Sequence, residues 1–275
     1  MPLSINTNVA SMAAQRSFMN SNAALETAFE RLSSGKRVNS AYDDAAGLAI
    51  GKNLESRVSG LNQAIRNTND GISMVQIAEG AMDEATTILQ RMRDLAVQAA
   101  NDSLGTAERG YLETETDKLI AALDKAFDQA TFNGIDILDT NAAVLVTFQV
   151  GADNGDTLAV TFDTIHSSIL TVEDSDINVS SHTWAAASID LIDTALGVVY
   201  SDRAGLGAVQ AQMESTVRNL ANVAENTAAA TGRIMDTDYA AETANLTKAQ
   251  ILQQAATSIL AQANAQPQSI LALLQ

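Results

Sequence analysis

Two histidines and a few carboxylates are the side chains of this chain best suited to catalysis or metal binding. His166 and His182 lie in a polar segment and lack the HExxH spacing that places two imidazoles on one helix face. The run Asp153-Asn154-Gly155-Asp156 has some residues of a calcium loop, but not the ligand spacing or the closing glutamate. Glu113 and Glu115 fall on a predicted exposed helix face, where carboxylates increase solubility. The sequence therefore predicts no enzyme, no metal site and no cofactor.

The composition argues against several further kinds of function. The 275 residues carry a net charge of −17, from 33 acidic and 16 basic residues, which opposes binding to nucleic acid or anionic lipid. There is no cysteine, which excludes disulfides and thiol chemistry. No run of apolar residues is long enough to predict membrane insertion. The first residues lack the pattern of a cleaved signal peptide, so we expect a cytoplasmic protein or export by another route.

The elements that position these residues are predicted to be long helices. The two prolines are Pro2 and Pro267, so the interior contains none of the residue that breaks helices. Apolar side chains recur every three or four positions, which is typical of one face of a helix. Aromatic residues make up only 4% of the chain, which favours close contacts between helices. We expect helices over 3–32, 44–100, 106–130 and 185–234, and a terminal helix after a joint at 232–237.

A small β region is predicted in the middle of the chain. Val144 to Val150 and Leu158 to Phe162 alternate apolar and polar residues, and Asn154-Gly155 lies between them. This pattern predicts a β-hairpin at about 142–163. The segment 164–184 is rich in serine, threonine and aspartate without a clear period, so we expect a surface loop or a small β extension. Its candidate O-glycosylation sites are Ser167, Ser168, Ser180 and Ser181.

Both ends of the chain are predicted to be weakly charged helices. Beyond Tyr239, the only charged residues are Glu242 and Lys248. An apolar stripe on so long a helix needs a partner, either elsewhere in the chain or on another copy, and the pattern leaves both open. The C-terminal stripe consists of Leu246, Ala249, Leu252, Ala256, Ile259, Ala263, Ile270 and Leu273, and the N-terminal stripe of Ile5, Val9, Met12 and Met19.

The order of the elements is nearly palindromic. A weakly charged helix lies at each end, long heptad helices come next, and the β region lies between them. The simplest fold pairs the two halves of the chain in antiparallel orientation. We therefore expect a mainly α protein, a long antiparallel helical coiled-coil rod with a small central β-hairpin region.

Several motifs, in order along the chain, resemble the signature of bacterial flagellin. They cover about 1–140 and 185–275. The resemblance implies a structural subunit, without enzymatic activity, that polymerises into the flagellar filament for motility. It implies the short type, without large outer domains. The motifs are INTN from Ile5, SSGKRVNSAYDDAAGLAI from Ser33, GLNQAIRNTNDGISMVQIAEGAM from Gly60, QRMRDLAVQAAN from Gln90, FNGIDIL from Phe132, RAGLGAVQ from Arg203 and ETANLTKAQILQQAATSILAQANAQPQSILALLQ from Glu242.

The same resemblance implies domains, partners and a location. Residues 1–43 and 235–275 pair as a terminal coiled-coil assembly domain, and 44–234 form a helical rod domain. Flagellins leave the cell unfolded through the flagellar type III apparatus, after an export chaperone has held the C-terminal helix. They then assemble with other flagellin subunits, and with cap and junction proteins, in the extracellular filament. Many are ligands of the vertebrate Toll-like receptor five, whose contact residues correspond here to Gln90, Arg91, Leu95 and Glu115.

Two other functions compete with this interpretation. A hook–filament junction protein shares the terminal helices of flagellin. A secreted helical effector or adaptor would bind a host target as a monomer. The ordered match through 203–275 and the short central region favour flagellin over both.

Overall fold

The computed structural model describes residues 7–138, 142–168, 170–173 and 176–273, with side chains as far as residue 266. This part is mainly helical and contains two small antiparallel sheets, which confirms the predicted fold class. Ile5 lies outside the described residues, as do the side chains of Ile270 and Leu273. The helices are α1 (Val9–Ser34), α2 (Ala45–Ala99), α3 (Thr106–Asp128), α4 (His182–Met235) and α5 (Tyr239–Leu273), and the strands are β1 (Thr131–Phe132), β2 (Ile135–Asp136), β3 (Val144–Gln149) and β4 (Thr157–Phe162).

Helix α1 has a polar cap at its start and a glycine at its end. The Asn8 side chain accepts a hydrogen bond of 3.0 Å from the backbone N–H of Ser11, which satisfies one of the free donors of the first turn. Gly35 follows the last turn in the left-handed conformation, at φ 71°. Helix α1 therefore ends two residues beyond the predicted end at residue 32.

The chain forms two compact units. The first unit consists of residues 1–58 and 225–275, and the second of residues 59–224. Both boundaries fall inside helices, α2 and α4, whereas the sequence suggested boundaries near residues 43 and 235. The predicted division into an assembly domain and a rod domain stays a prediction.

The second unit has a continuous core to which its helices and the hairpin all contribute. Met74 and Met82 of α2, Phe127 of α3, Phe162 of β4 and Ile192 of α4 are all at most 1% exposed. They belong to one cluster of buried side chains. A contiguous core of this kind is what an independently folded domain requires.

The predicted hairpin is confirmed. Strands β3 and β4 pair in antiparallel register, from Val144 opposite Phe162 to Gln149 opposite Thr157. Gly155 lies in the connecting turn at φ 96°, a conformation that glycine adopts without steric cost. Asn67 of α2 donates a hydrogen bond of 3.2 Å to the carbonyl of Gln149, which ties the hairpin to the helix.

The segment after the hairpin differs from the predicted surface loop. Its described residues form no strand, and Ile165, Val172, Ile177 and Val179 are at most 1% exposed. The backbone N–H of Asn178 also donates to the hydroxyl of Ser188, which in turn donates to the Asn178 carbonyl, both at 3.0 Å. Because the segment is neither helix nor strand, its buried apolar residues do not recur at a regular spacing. The sequence therefore contains no periodic pattern that would indicate their burial.

Candidate functional site

Helices α1 and α5 pack side by side in the first unit. Asn8 donates a hydrogen bond of 2.7 Å to the carbonyl of Ala263, and Ser11 donates one of 2.7 Å to Asn264. At the other end of the pair, Arg31 faces Glu242 at 4.0 Å. The first turns of α1 therefore lie beside the turns around Ala263 of α5. The last turns of α1 lie beside the first turn of α5. The predicted antiparallel pairing of the terminal helices is confirmed.

The two helices meet mainly through small side chains, most of them seven residues apart, and Glu242 is a larger, charged exception. We call this set of buried residues the seam. Small side chains at heptad positions let two helix backbones approach closely and remain in register over many turns. Among the described side chains, the seam consists of Ser11, Ala14, Ser21 and Ala28 on α1 and of Glu242, Ala249, Ala256 and Ala263 on α5.

The predicted apolar stripes are divided between the seam and the solvent. On α5, Ala249, Ala256 and Ala263 of the stripe lie in the seam, whereas Leu252 and Ile259 are about half exposed. Leu246 is half-buried. The large apolar side chains lie outside the seam, whose described apolar members are all alanines, and small residues of this kind let two helices pack closely.

The described residues of the N-terminal stripe lie outside the seam. Val9, Met12 and Met19 are 67%, 56% and 62% exposed. The seam on α1 uses a different face, which apolar spacing did not identify because serine and alanine are weak markers of burial. We call the exposed large side chains of this helix pair, which lie on both sides of the seam, the outer apolar face. It consists of Val9, Met12, Met19 and Phe29 on α1 and of Ile251, Leu252 and Ile259 on α5.

The described residues contain no arrangement suited to metal binding. No group of three or more His, Cys, Asp or Glu comes together among them. His166 Nδ1 lies 2.9 Å from the hydroxyl of Ser168, and His182 is exposed at the start of α4. Within the same residues, no helix combines the length and the apolar character that a membrane span requires.

Comparison with known proteins identifies the family. Residues 5–143 match the bacterial flagellin N-terminal helical region, and residues 189–274 match the C-terminal helical region. The chain belongs to the bacterial flagellin family. It is 42% identical to a flagellin of Halalkalibacterium halodurans, over 98% of this chain and 99% of the relative. It is 38% identical to the flagellar filament 33 kDa core protein of Treponema phagedenis, with the same coverage.

A solved structure shows the same fold at low sequence identity. It is the structure of a putative flagellar hook-associated protein from Vibrio parahaemolyticus, with a TM-score of 0.59 and 17% identity. The likeness covers 70% of this chain and all of that chain. At this identity it shows the fold alone. The matches to flagellins cover nearly the whole chain at higher identity, so flagellin is favoured over the hook–filament junction protein.

Membership of this family settles the general role. The chain is a structural subunit of the flagellar filament and not an enzyme, as predicted. Its location is the extracellular filament. The short length of the chain also agrees with its relatives, since the flagellin of H. halodurans is covered almost completely.

Three of the four residues that correspond to receptor contacts lie at the surface of the second unit. Arg91 donates two hydrogen bonds to one carboxylate oxygen of Glu115, at 2.6 and 3.0 Å. Gln90 donates one of 3.2 Å to the hydroxyl of Tyr200. Leu95 is only 1% exposed in the subunit. The expected receptor contact at Leu95 stays a prediction.

The candidate O-glycosylation sites differ widely in exposure. Ser168 is exposed, but Ser167 is 3% exposed and cannot carry a glycan in the folded chain. Ser180 is half-buried and donates a hydrogen bond to Asn178. Ser181 accepts a hydrogen bond of 3.3 Å from the backbone N–H of Trp184, in the first turn of α4. Ser168 is the most exposed of these four residues.

Ion pairs across α2 and α4 were not predicted from the sequence. Arg203 lies 3.0 Å from Asp83, and Arg93 forms two hydrogen bonds with Asp193. The Arg93 guanidinium lowers the pKa of the Asp193 carboxyl. Exposed pairs of this kind contribute little to stability. They were missed because the partners are 120 and 100 residues apart, and no local spacing connects them.

Proposed function

We propose that the outer apolar face of α1 and α5 is the surface through which this subunit polymerises. The single observation that supports this role is the exposure of its large side chains on helices whose seam is already filled. Met19 is 62% exposed, Phe29 65% and Ile259 55%. Soluble monomers rarely leave so many large apolar groups on one element unless a partner covers them.

The balance of forces favours association through this face. Full burial of a large apolar side chain contributes about 1.5–3 kcal/mol. The net charge of −17 opposes association, and Coulomb repulsion between copies is screened beyond about 8 Å at physiological salt. The free energy gained by burying several such side chains therefore exceeds the cost of the screened charge repulsion between copies. Polymerisation is then driven by the terminal helices.

The same face requires cover before the subunit reaches the filament. We propose that an export chaperone binds α5 inside the cell and shields Leu252 and Ile259 during export by the flagellar type III apparatus. In the filament, neighbouring subunits replace the chaperone. Cap and junction proteins at the ends of the filament would meet the same exposed side chains.

Purified chain is expected to elongate short filament seeds into filaments many times longer than the seeds. The reason is that each added subunit buries its outer apolar face against the preceding ones. Negative-stain electron microscopy before and after incubation measures the lengths. A seed-only sample controls for end-to-end annealing, and full-length chain that never elongates seeds under any condition tried would refute polymerisation.

A second proposed function is recognition by Toll-like receptor five through the second unit. It is favoured by the exposed pair of Arg91 and Glu115 beside Gln90. Arginine in a partly solvated pair readily forms further hydrogen bonds to a partner, and arginine is enriched among residues that dominate binding energy. Leu95 is 1% exposed, so we propose that it contributes to this surface by packing within the subunit.

Arg91→Ala is expected to raise the concentration for half-maximal receptor signalling by about tenfold or more, as loss of a dominant interface residue does. Thermal unfolding should barely change, because an exposed ion pair contributes only about 0–1 kcal/mol. The measurement is a dose response of cells that carry the receptor. Arg66→Ala removes another exposed arginine of α2 and is the matched control. A dose response unchanged by Arg91→Ala would rule out this contact.

A further inference from the structure

We propose that one contact between copies is a head-to-tail fit of an acidic patch on α1 into a basic groove between α1 and α5 of the next copy. This inference rests on the proposed polymerisation and names residues for one interface within it. The acidic patch consists of Leu25, Glu26, Phe29 and Glu30. The basic groove is lined by Asn20, Thr27, Arg31, Glu242, Asn245, Lys248 and Leu252, and because Glu242 faces Arg31 at 4.0 Å, its uncompensated positive charge is that of Lys248.

The acidic patch combines a large exposed aromatic ring with two carboxylates. Phe29 is 65% exposed, and Glu26 and Glu30 are exposed one helical turn apart. Neither glutamate forms an ion pair with any residue that the structure describes. An apolar group flanked by unpaired charges of one sign is suited to a partner that offers an apolar floor and the opposite charge.

The basic groove provides an apolar floor and a positive charge. Leu252 is 48% exposed in a hollow of about 480 Å³, and Lys248 is exposed beside it. Lys248 has no ion pair within the described part of the chain, and it is the basic residue of α5. The charge of Arg31 is compensated within the groove, because Arg31 faces Glu242 at 4.0 Å. Lys248 is therefore the charge that an incoming carboxylate would meet.

The acidic patch and the basic groove lie on opposite sides of α1. Successive residues of a helix are rotated by about 100°. With Ala28 facing α5 in the seam, Phe29 and Glu26 fall on one side of α1, and Thr27 and Arg31 on the other. One copy therefore cannot bring its own patch into its own groove.

This arrangement favours an open polymer over a closed dimer. A contact between two different surfaces leaves one patch and one groove free at the ends of every assembly, so copies can be added without limit. The occupant is a second copy because charge complementarity is provided by the chain itself. In a chain of net charge −17, the exposed Lys248 of this groove is a positive charge that a carboxylate of another copy would complement.

Charge reversal on the two surfaces tests this contact. Glu26→Lys and Lys248→Glu each place like charges together and are expected to raise the critical concentration of polymerisation by about tenfold or more. The double variant restores opposite charges and should return to within about threefold of wild type. Each variant is elongated on wild-type seeds until added subunits far outnumber the seeds. The monomer left in the supernatant after sedimentation gives the critical concentration.

The controls separate this contact from general effects of charge. Asp176→Lys makes the same change of charge as Glu26→Lys at an exposed position of the second unit and should leave the critical concentration near wild type. Phe29→Ala should raise it, and Lys248→Glu should not rescue that variant. The proposal is overturned if both single reversals match wild type, or if the double variant is no better than the worse single. Failure of wild type to elongate would instead contradict the proposed polymerisation itself.

Discussion

Removal of residues 246–275 is expected to abolish filament formation while the second unit stays folded. The deletion takes away Ala249, Ala256 and Ala263 of the seam together with Leu252 and Ile259 of the outer apolar face. Helix α1 then loses the helix on which it packs. The buried core of the second unit contains no residue from the deleted segment, so its packing is untouched.

Two measurements and a second variant define this experiment. Sedimentation after seeding measures polymerisation, and thermal unfolding followed by circular dichroism measures the second unit. Leu252→Ser combined with Ile259→Ser keeps α5 and its seam but removes apolar groups from the outer face, so it separates loss of the helix from loss of the surface. Filaments from the truncated chain, or loss of its cooperative unfolding, would contradict the division of roles between the two units.

Ala256→Leu is expected to separate α1 from α5 in the free subunit. Ala256 is 5% exposed in the seam, where the helices approach too closely to admit three more carbon atoms. Overpacking of this kind costs about 1–3 kcal/mol. The free energy of opening of the helix pair should fall by that amount, which corresponds to roughly 5- to 150-fold faster amide exchange in α1 and α5.

The neighbouring residue provides a matched control for this substitution. Ala255 is exposed on the same helix, so Ala255→Leu adds the same atoms outside the seam. Hydrogen exchange of the dilute monomer, measured by mass spectrometry, should distinguish the two variants. Equal exchange rates for both would mean that the seam does not determine the stability of the helix pair.

Most of the secondary structure was predictable because it depends on local pattern. The helix stop at Gly35, the hairpin of β3 and β4 and the long helices all follow from turn residues and apolar spacing. The packed segment around Ile165 and Val172 was not predictable in the same way. Its apolar residues have no period, and only the surrounding core decides that they are buried.

The site was predictable in part. The sequence indicated that both terminal helices carry the apolar groups for assembly, and their pairing is observed. The ion pair of Arg31 with Glu242 was not foreseen, since 211 positions separate the two residues and no local spacing relates them. Burial of Leu95 was also missed, because a motif shared with a family identifies a residue without showing which way its side chain points.

The sequence by itself determined that this chain has no catalytic or metal-binding pattern and that its ends are weakly charged helices. Only the tertiary structure decided which face of each helix is used within the subunit. Close helix contact selects small side chains, so Ala14 and Ala256 enter the seam and Met19 and Ile259 remain outside. Size, and not hydrophobicity alone, therefore divides the terminal helices into a seam and a surface for assembly.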